Sequence, residues 1–275
     1  MPATLAHRDI SGQLVFLGTG TSHGIPVIGC GCETCGSTDP RNHRTRCAVA
    51  LGLPAGNLLI DTPPELRIQL TREKIGLIHA VLYTHAHADH LFGLDDVRIF
   101  PRHLGHEVPV YCQQPVEETI RCAFRYAFDP VAQASPAGGV PRLVFHRIDT
   151  MPFKVLGTRV VPISLLHGQS PILGYRIGDV AYCTDVKEIP PESMRLLEGL
   201  EVLILDCLRY QPHVTHLSVD EAVATARRLA PRRTLFTHMC HHLEHETTNR
   251  RLPAGMELAY DGLRIRLAGV DPRNG

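Results

Sequence analysis

The stretch His85-Ala86-His87-Ala88-Asp89-His90 decides how this sequence folds, because it places three imidazoles and one carboxylate within six residues. The apolar segment 80–84, Ala-Val-Leu-Tyr-Thr, runs directly into it and is typical of a buried strand. Nitrogen and oxygen donors gathered at the end of one strand are the ligands that hold divalent metals. The stretch therefore predicts a metal site at this strand end.

Composition limits the other possibilities. The 275 residues can bury a sizeable core without disulfides. The 28 Lys and Arg are balanced by 28 Asp and Glu, which excludes a broad basic surface for nucleic acid. The nine cysteines, an odd number with three grouped closely, indicate metal binding rather than a disulfide framework. No membrane-length apolar run and no signal peptide is visible, so we expect a cytoplasmic protein without membrane contact.

Short apolar runs alternate with turn signals along the chain, and no linker or repeat interrupts them. Turns between consecutive short strands, as at Gly178-Asp179, favour an α/β (α+β) fold with two mixed sheets. We expect one domain over residues 1–275, with helices at 91–102, 115–128, 191–198 and 219–229. The predicted strands lie at 14–17, 48–53, 57–60, 80–83, 108–111, 142–146, 159–163, 173–177, 180–183, 202–206, 234–237 and 263–267.

Three lone residues of ligand type follow other apolar strands. They are His167 in Leu-Leu-His-Gly, Asp185 in Cys-Thr-Asp, and His238 in Phe-Thr-His. Each alone fits a polar residue in a turn better than a metal ligand. Together with the first four they make five histidines and two aspartates, enough for two metals that share one carboxylate.

These motifs, in this order, resemble the metallo-β-lactamase superfamily, whose HxHxDH signature appears at residues 85–90. The resemblance covers nearly the whole chain and implies a four-layer αββα sandwich with two zinc or manganese ions at one edge. It implies that Asp185 bridges the two metals. The other ligands it implies are His85, His87 and His167 for one metal, and Asp89, His90 and His238 for the other.

The resemblance also implies a hydrolytic mechanism. Two metal ions lower the pKa of a shared water, and Asp89 can accept a hydrogen bond from the resulting hydroxide. The phosphodiesterase branches carry a general-acid histidine between the bridging aspartate and the last ligand. His216, in Thr-His-Leu-Ser, matches that position. We therefore expect His216 to protonate the leaving group, although its place before a helix also fits a solvent-exposed residue.

A second group of ligands lies in the Cys-rich loop 29–36, where Cys30, Cys32 and Cys35 place three thiols within six residues. Such spacing supplies three corners of a structural zinc site. His241 is the favoured fourth ligand, and the alternatives are Cys240, His242 and His245. The loop is similar to that of PhnP-type phosphoribosyl cyclic phosphate phosphodiesterases, in which a histidine three residues after the last catalytic ligand completes the zinc site. The protein PqqB has a comparable loop.

The substrate is the least determined feature. We expect a small phosphodiester, linear or cyclic. Only 17 residues, 168–184, separate His167 from Asp185, where RNase Z enzymes carry a long basic arm for RNA. Arg98 is a candidate for binding a phosphate oxygen, followed by Thr19, Ser22 and His23, whereas His213 is interpreted as a surface residue. The alternatives are a thioester or lactone hydrolase and a PqqB-like biosynthetic protein. A homodimer is implied by the resemblance alone.

Overall fold

The structure, a computed structural model, describes residues 7–134 and 139–267. Its strands fall into two sheets of seven, and both sheets are mixed. The strands of the first sheet, named here with their bounds, are β1 Gln13–Gly18, β2 Ala48–Leu53, β3 Gly56–Ile60, β4 Ala80–Leu82, β5 Val108–Cys112, β6 Leu143–Arg147 and β14 Arg264–Arg266. Those of the second are β7 Phe153–Val155, β8 Thr158–His167, β9 Ser170–Ile177, β10 Val180–Cys183, β11 Val202–Asp206, β12 Arg233–Thr237 and β13 Met256–Leu258.

The two sheets are built alike. The first runs in the order β14-β1-β2-β3-β4-β5-β6, and the second in the order β13-β12-β11-β10-β9-β8-β7. In the first sheet, β3, β4, β5 and β6 are parallel, and β14, β1, β2 and β3 pair antiparallel. In the second, β10 to β13 are parallel and β7 to β10 are antiparallel.

Helices cover the outer face of each sheet and complete four layers. Alternation along β2 shows why: Val49 and Leu51 face the core between the sheets, whereas Ala48 and Ala50 face the helices. A third core lies beneath the helices Pro191–Leu196 and Val219–Leu229, on the outside of the second sheet. The helices are α1 Leu66–Glu73, α2 Ala88–Leu91, α3 Pro101–Leu104, α4 Gln114–Ala123, α5 Pro130–Ala134, α6 Pro191–Leu196, α7 Val219–Leu229 and α8 His245–Asn249. The αββα fold class is confirmed.

The helix expected at 91–102 is wrong. The chain instead forms α2, a 3₁₀ helix at Leu94–Ile99 and α3. At Gly93 the backbone passes so close to Pro63 that a Cβ would lie 2.0 Å from its carbonyl oxygen. Pro101 then starts a new helix, since it lacks the N–H that would continue the preceding one. The strands β7 and β13, three residues each, were not predicted.

The parallel strands at the middle of each sheet end at the same edge of the sandwich. Asp61 follows β3, the 85–90 stretch follows β4, and Asp185 follows β10. In the second sheet β11 ends at Asp206, and His238 follows β12. Ends of parallel strands are where α/β sheets gather functional side chains. Within the described residues, no helix has the length and apolar character to cross a bilayer.

Candidate active site

The first group of histidines joins the two sheets. One ring nitrogen from each of His85, His87 and His167 lies within 4.8 Å of the others. The second ring nitrogen is already engaged in two of them. His85 Nδ1 shares a hydrogen bond of 2.9 Å with Thr84 Oγ1, and His167 Nδ1 donates to the Thr215 carbonyl at 2.8 Å. The Nε2 atoms of His85 and His167 are therefore left to face the common space.

A second group lies directly beside the first and combines Asp89, His90, Asp185 and His238. His90 Nε2 is 3.3 Å from Asp89 Oδ2 and 3.2 Å from Asp185 Oδ2. His238 Nε2 is 3.1 Å from Asp185 Oδ1. Two ligands bound tetrahedrally at ordinary zinc distances would lie about 3.3 Å apart. The four donors thus have the spacing of a first coordination shell.

Unpartnered buried nitrogens provide the test of whether metal ions fit this site. His85 Nε2, His90 Nε2 and His238 Nε2 are buried and have no hydrogen-bond partner among the described residues. A buried polar atom without a partner costs free energy, so each needs something in the space it faces. Imidazole nitrogens and carboxylates are donors for zinc and manganese. The residues present therefore fit two divalent ions.

Asp185 lies between the two groups. Besides His90 and His238, it forms a third cluster with His167 and His216, whose ligand atoms also lie within 4.8 Å of one another. Its backbone has a φ of 57°, and His238 has a φ of 59°. Such left-handed conformations are costly for residues with a Cβ and are often found at functional sites. This geometry places Asp185 where a bridging ligand would be.

The charges of the site follow from its burial. Burial lowers the pKa of His85 and His167, which favours the neutral form that binds metal. Burial also opposes the charging of His90, but Asp185 and other nearby carboxylates outweigh it and raise the pKa of His90. For Asp185, burial is outweighed by His238 and His90, which lower its pKa. Asp185 is thus ionised, and a metal would displace the proton from His90.

A buried carboxylate orients His90 from behind. Asp61 Oδ2 accepts a hydrogen bond of 2.8 Å from His90 Nδ1. The same carboxylate accepts from the Thr84 backbone N–H at 2.9 Å and from Thr84 Oγ1 at 2.8 Å. Because Thr84 also contacts His85, Asp61 fixes two of the histidines at once. Outer carboxylates of this kind set the tautomer and basicity of metal-binding histidines.

A second buried carboxylate connects the site to His216. Asp206 Oδ2 accepts from His216 Nδ1 and from the Leu217 N–H, both at 3.1 Å, and Asp206 Oδ1 lies 3.6 Å from His238 Nδ1. The rings of His216 and His238 stack with centroids 4.6 Å apart and planes 14° apart. His216 is 8% exposed. It is therefore an oriented imidazole at the edge of the metal site, not a solvent-exposed residue.

Local sequence accounts for the position of His216. Ser218 and Glu221 form both hydrogen bonds of a capping box at the start of α7, which fixes the chain just before the helix. Gly168 has a φ of 63°, and a Cβ there would lie 2.9 Å from Thr215 Cγ2. Glycine is thus required after His167 so that the segment carrying His216 can pack against it.

The Cys-rich loop converges with His241. The Sγ atoms of Cys30, Cys32 and Cys35 lie 3.2, 3.7 and 3.5 Å from His241 Nδ1. Sulfur and nitrogen on one tetrahedral zinc would lie about 3.6 Å apart. The structure therefore favours His241 over the alternatives. Among these, the Cys240 thiol accepts from the His242 N–H at 3.4 Å.

Backbone donors and a buried arginine support this second cluster. The Val27 N–H donates to Cys35 Sγ at 3.4 Å, and the Cys35 N–H donates to Cys32 Sγ at 3.5 Å, which lowers the pKa of Cys32. Arg44, fully buried, donates to the carbonyls of Cys240 at 3.2 Å and Leu243 at 2.6 Å. The buried Arg44 therefore fixes the backbone of the loop that carries His238 and His241.

Comparison with known proteins agrees with this geometry. The family model described as the beta-lactamase superfamily domain matches residues 56–239. The chain belongs to the metallo-β-lactamase superfamily. The matched range includes strands of both sheets and all seven predicted metal ligands. The protein is accordingly a metallo-β-lactamase-fold hydrolase. Enzymes of this fold typically bind divalent metals, and the described residues include candidate clusters for them.

Within this superfamily, the crystal structure of a diphosphatase from the PhnP family is 43% identical, with a TM-score of 0.86, and the match covers 92% of this chain and 96% of that one. Zinc-bound PqqB from Methylobacterium extorquens shares the fold at 18% identity and a TM-score of 0.76, over 93% of this chain and 100% of that one. A protein named octanoyltransferase, from Porphyromonas gingivalis, is 36% identical over 94% of this chain. The chain spans only 54% of that relative.

The substrate contacts expected from the sequence are only partly brought to the site. Arg98 pairs with Asp95 and lines a separate cavity between α1 and the 94–99 helix. None of the predicted metal ligands lines that cavity, and phosphate binding by Arg98 stays a prediction. Thr19 donates to Asp261 at 2.8 Å. Ser22 and His23 do line a cavity that reaches His216.

Asp61 and Asp206 are the residues that sequence reasoning missed. Each comes at the end of an apolar run, Leu-Leu-Ile-Asp and Leu-Ile-Leu-Asp. This is the same signal that identified Asp185, and it could have been applied to both.

Proposed function

We propose that this protein is a phosphodiesterase that hydrolyses a small phosphodiester at the paired metal clusters. The observation that carries the proposal is the oriented His216, stacked on His238 at 4.6 Å and bonded to a buried carboxylate. A phosphate ester depends on such an imidazole more strongly than a carbonyl substrate does. The reason is that its alkoxide leaves poorly unless it is protonated. The 43%-identical diphosphatase also acts on a phosphorus compound.

The residues divide into three roles. His85, His87 and His167 would hold one ion, Asp89, His90 and His238 the other, and Asp185 would contact both. When bound, two divalent ions supply charge stabilisation for phosphate oxygens and lower the pKa of a shared water. Asp89, next to His90 at the centre of the site, would accept a hydrogen bond from the attacking oxygen and so align it with phosphorus.

His216 would carry the proton for the leaving group. Its Nδ1 donates to Asp206, which leaves Nε2 as the atom that can exchange a proton with substrate. The negative Asp206 stabilises the protonated ring, and the capped start of α7 fixes its position. A donor held in this way delivers its proton without first reorganising.

The region between His167 and Asp185 supports a small substrate. Its residues form β9 and β10, a hairpin that pairs with β8 and β11. Two strands of the second sheet therefore account for nearly all residues between His167 and Asp185. This supports a small substrate rather than structured RNA. The neutral overall charge agrees with this, since RNA binding depends on clustered cations.

The test is to replace His216 with Ala and compare two diesters. With an alkyl methyl phosphate, whose leaving group needs protonation, we expect kcat/KM to fall by about 10²-fold or more. With bis-p-nitrophenyl phosphate, whose leaving group is stable as an anion, the fall should be much smaller. Metal content should be unchanged. His103→Ala, an exposed histidine outside the site, is the matched control.

Three results would contradict the proposal. Equal loss on both diesters would remove the general-acid role of His216. Hydrolysis by the wild-type protein of a thioester or lactone, with no turnover of any diester, would assign the site to carbonyl chemistry instead. Turnover of neither class by the metal-loaded protein would favour a PqqB-like role.

A further inference from the structure

A cavity of about 310 Å³ opens beside His216 and extends to the Cys-rich cluster. One wall is the loop that follows β11, with Leu208, Arg209 and His213. The other lining residues come from two segments, one before the Cys-rich loop and one that contains His241. The residues contributed by those segments are Thr21, Ser22, His23, Val27, Cys240, His241 and His242. None of the seven predicted active-site ligands lines this cavity, which reaches the active site through His216 and the Cys-rich cluster through His241.

The lining of this cavity is suited to an anion. Among the described residues that line it, none is Asp or Glu, whereas one is Arg and five are His. Arg209 remains charged at any physiological pH. It forms no ion pair with a carboxylate in the part of the chain that the structure describes. A cation left without a counter-charge beside a catalytic residue is available to a substrate.

Arg209 is also held in place. Its Nε donates to the Gln211 carbonyl at 3.2 Å, and one terminal nitrogen donates to the Pro212 carbonyl at 3.1 Å. Its backbone carbonyl accepts from the Val219 N–H at 2.9 Å, so the residue is fixed to the start of α7. One terminal nitrogen of the guanidinium has no partner assigned to it among these contacts. A positioned guanidinium of this kind binds carboxylate or phosphate oxygens with little loss of entropy.

The location of the cavity identifies which part of a substrate would enter it. His216 protonates the leaving oxygen under the proposed function, on which this step rests. The leaving group must therefore lie on the His216 side of the phosphorus, and the cavity is the space there. We propose that the cavity binds the leaving group, and that Arg209 selects leaving groups carrying their own anionic group, a phosphate or a carboxylate.

The experiment uses three diesters with one scissile group and different leaving groups. They are phenyl methyl phosphate and its 4-carboxyphenyl and 4-phosphonooxyphenyl analogues. The wild-type protein should have a higher kcat/KM for the two charged diesters than for the neutral one. Whichever charged diester has the higher kcat/KM shows whether the cavity prefers a carboxylate or a phosphate. In Arg209→Ala the ratio of kcat/KM for charged over neutral diesters should fall about tenfold, as expected for one charge-assisted hydrogen bond. Arg232→Ala, at the exposed pair with Glu201, should leave the ratio unchanged.

A binding measurement separates this inference from the proposed function. Phenyl phosphate, 4-hydroxybenzoate and phenol are titrated into the metal-loaded wild-type and Arg209→Ala proteins by calorimetry. The anions should bind the wild type more tightly than phenol, and Arg209→Ala should reduce that preference about tenfold. An unchanged preference in Arg209→Ala would overturn the inference, because the anions would then bind at the active-site ions alone. Equal binding of anions and phenol would overturn the inference, whether or not diesters are hydrolysed. Failure to hydrolyse any diester, with anion binding intact, would overturn only the proposed function.

Discussion

Three buried histidines of the active site are each oriented by a contact of the second ring nitrogen. Thr84 holds His85, Asp61 holds His90 at 2.8 Å, and the Thr215 carbonyl holds His167 at 2.8 Å. A ligand ring that is fixed before metal binding loses little freedom when the metal arrives. The hydrogen bonds of these second ring nitrogens therefore set the geometry of the site as much as the metal-facing atoms do.

His245 provides a pH-dependent test of packing near the Cys-rich cluster. Its side chain is 3% exposed, and burial, with the charges of Arg41 and Arg44, lowers its pKa from 6.5 to about 4. Between these values the unfolded chain binds a proton that the folded chain does not. The stabilisation from the neutral ring is thus complete above pH 6.5 and lost as the pH falls to about 4.

We expect His245→Phe to make the free energy of unfolding less dependent on pH in this range. The slope should decrease by at most about 1.4 kcal/mol per pH unit. Urea unfolding at constant zinc between pH 4.5 and 8 measures it, with His43→Phe, an exposed histidine, as the control. Parallel pH profiles of the unfolding free energy for the wild type and His245→Phe would contradict this. They would show that His245 has the same pKa in the folded and the unfolded chain.

At the scale of single elements, sequence reasoning identified the residues that form the candidate metal clusters but not the residues that orient them. The HxHxDH stretch and His238 stand out because ligand residues rarely follow apolar strands in such density. Asp206 ends a strand in the same way, but only the fold shows that its neighbours are His216 and His238. Distances between residues from different sheets cannot be read from spacing along the chain.

Strand prediction succeeded where burial is complete. The strand at 48–53 has the bounds of β2, all of whose residues are buried. Sequence reasoning failed for β13, which lies at the edge of its sheet and is only three residues long. It also failed for α1, whose residues show little separation of polar and apolar faces because Gln69 and Glu73 are buried. Tertiary contacts, such as that of Gln69 with the Arg46 carbonyl at 2.8 Å, stabilise this helix.

The Cys-rich loop is the element that joins the start of the chain to the last catalytic strand. It contacts His241, three residues after His238, so one zinc would fix both the loop and the position of a catalytic ligand. Zinc that binds only the folded chain contributes directly to its stability. This cluster should therefore support the active site without taking part in the chemistry.

We expect Cys32→Ser to lose one zinc ion per chain and to keep the metals of the active site. The stability should fall by about 2 kcal/mol or more, which lowers Tm by about 4–8 °C in a chain of this size. Metal analysis and calorimetry measure both effects. Cys122→Ser, at an exposed cysteine of α4, is the control. Unchanged zinc content in Cys32→Ser would show that the three thiols do not form the site.

At the scale of the whole molecule, the metal site lies across the junction of the two sheets. His85 to His90 follow β4 of the first sheet. In the second sheet His167 is the last residue of β8, and Asp185 and His238 follow β10 and β12. Metal bound here therefore connects the two halves of the sandwich. Because the ligands are brought together only in the folded chain, metals should stabilise it by mass action.

His87 allows this connection to be weakened with little damage to packing, since it is the exposed member of the first histidine group. In the metal-free protein, His87→Ala should change the free energy of unfolding by no more than about 0.5 kcal/mol. The rise in Tm on adding zinc or manganese should be smaller than in the wild type, because one ligand is missing and the affinity is lower. His103→Ala, another exposed histidine, should retain the full rise. An equal rise in Tm for His87→Ala and the wild type would mean that metal binding at the first histidine group does not hold the sheets together. The stabilisation would then come from the second group or from the Cys-rich cluster.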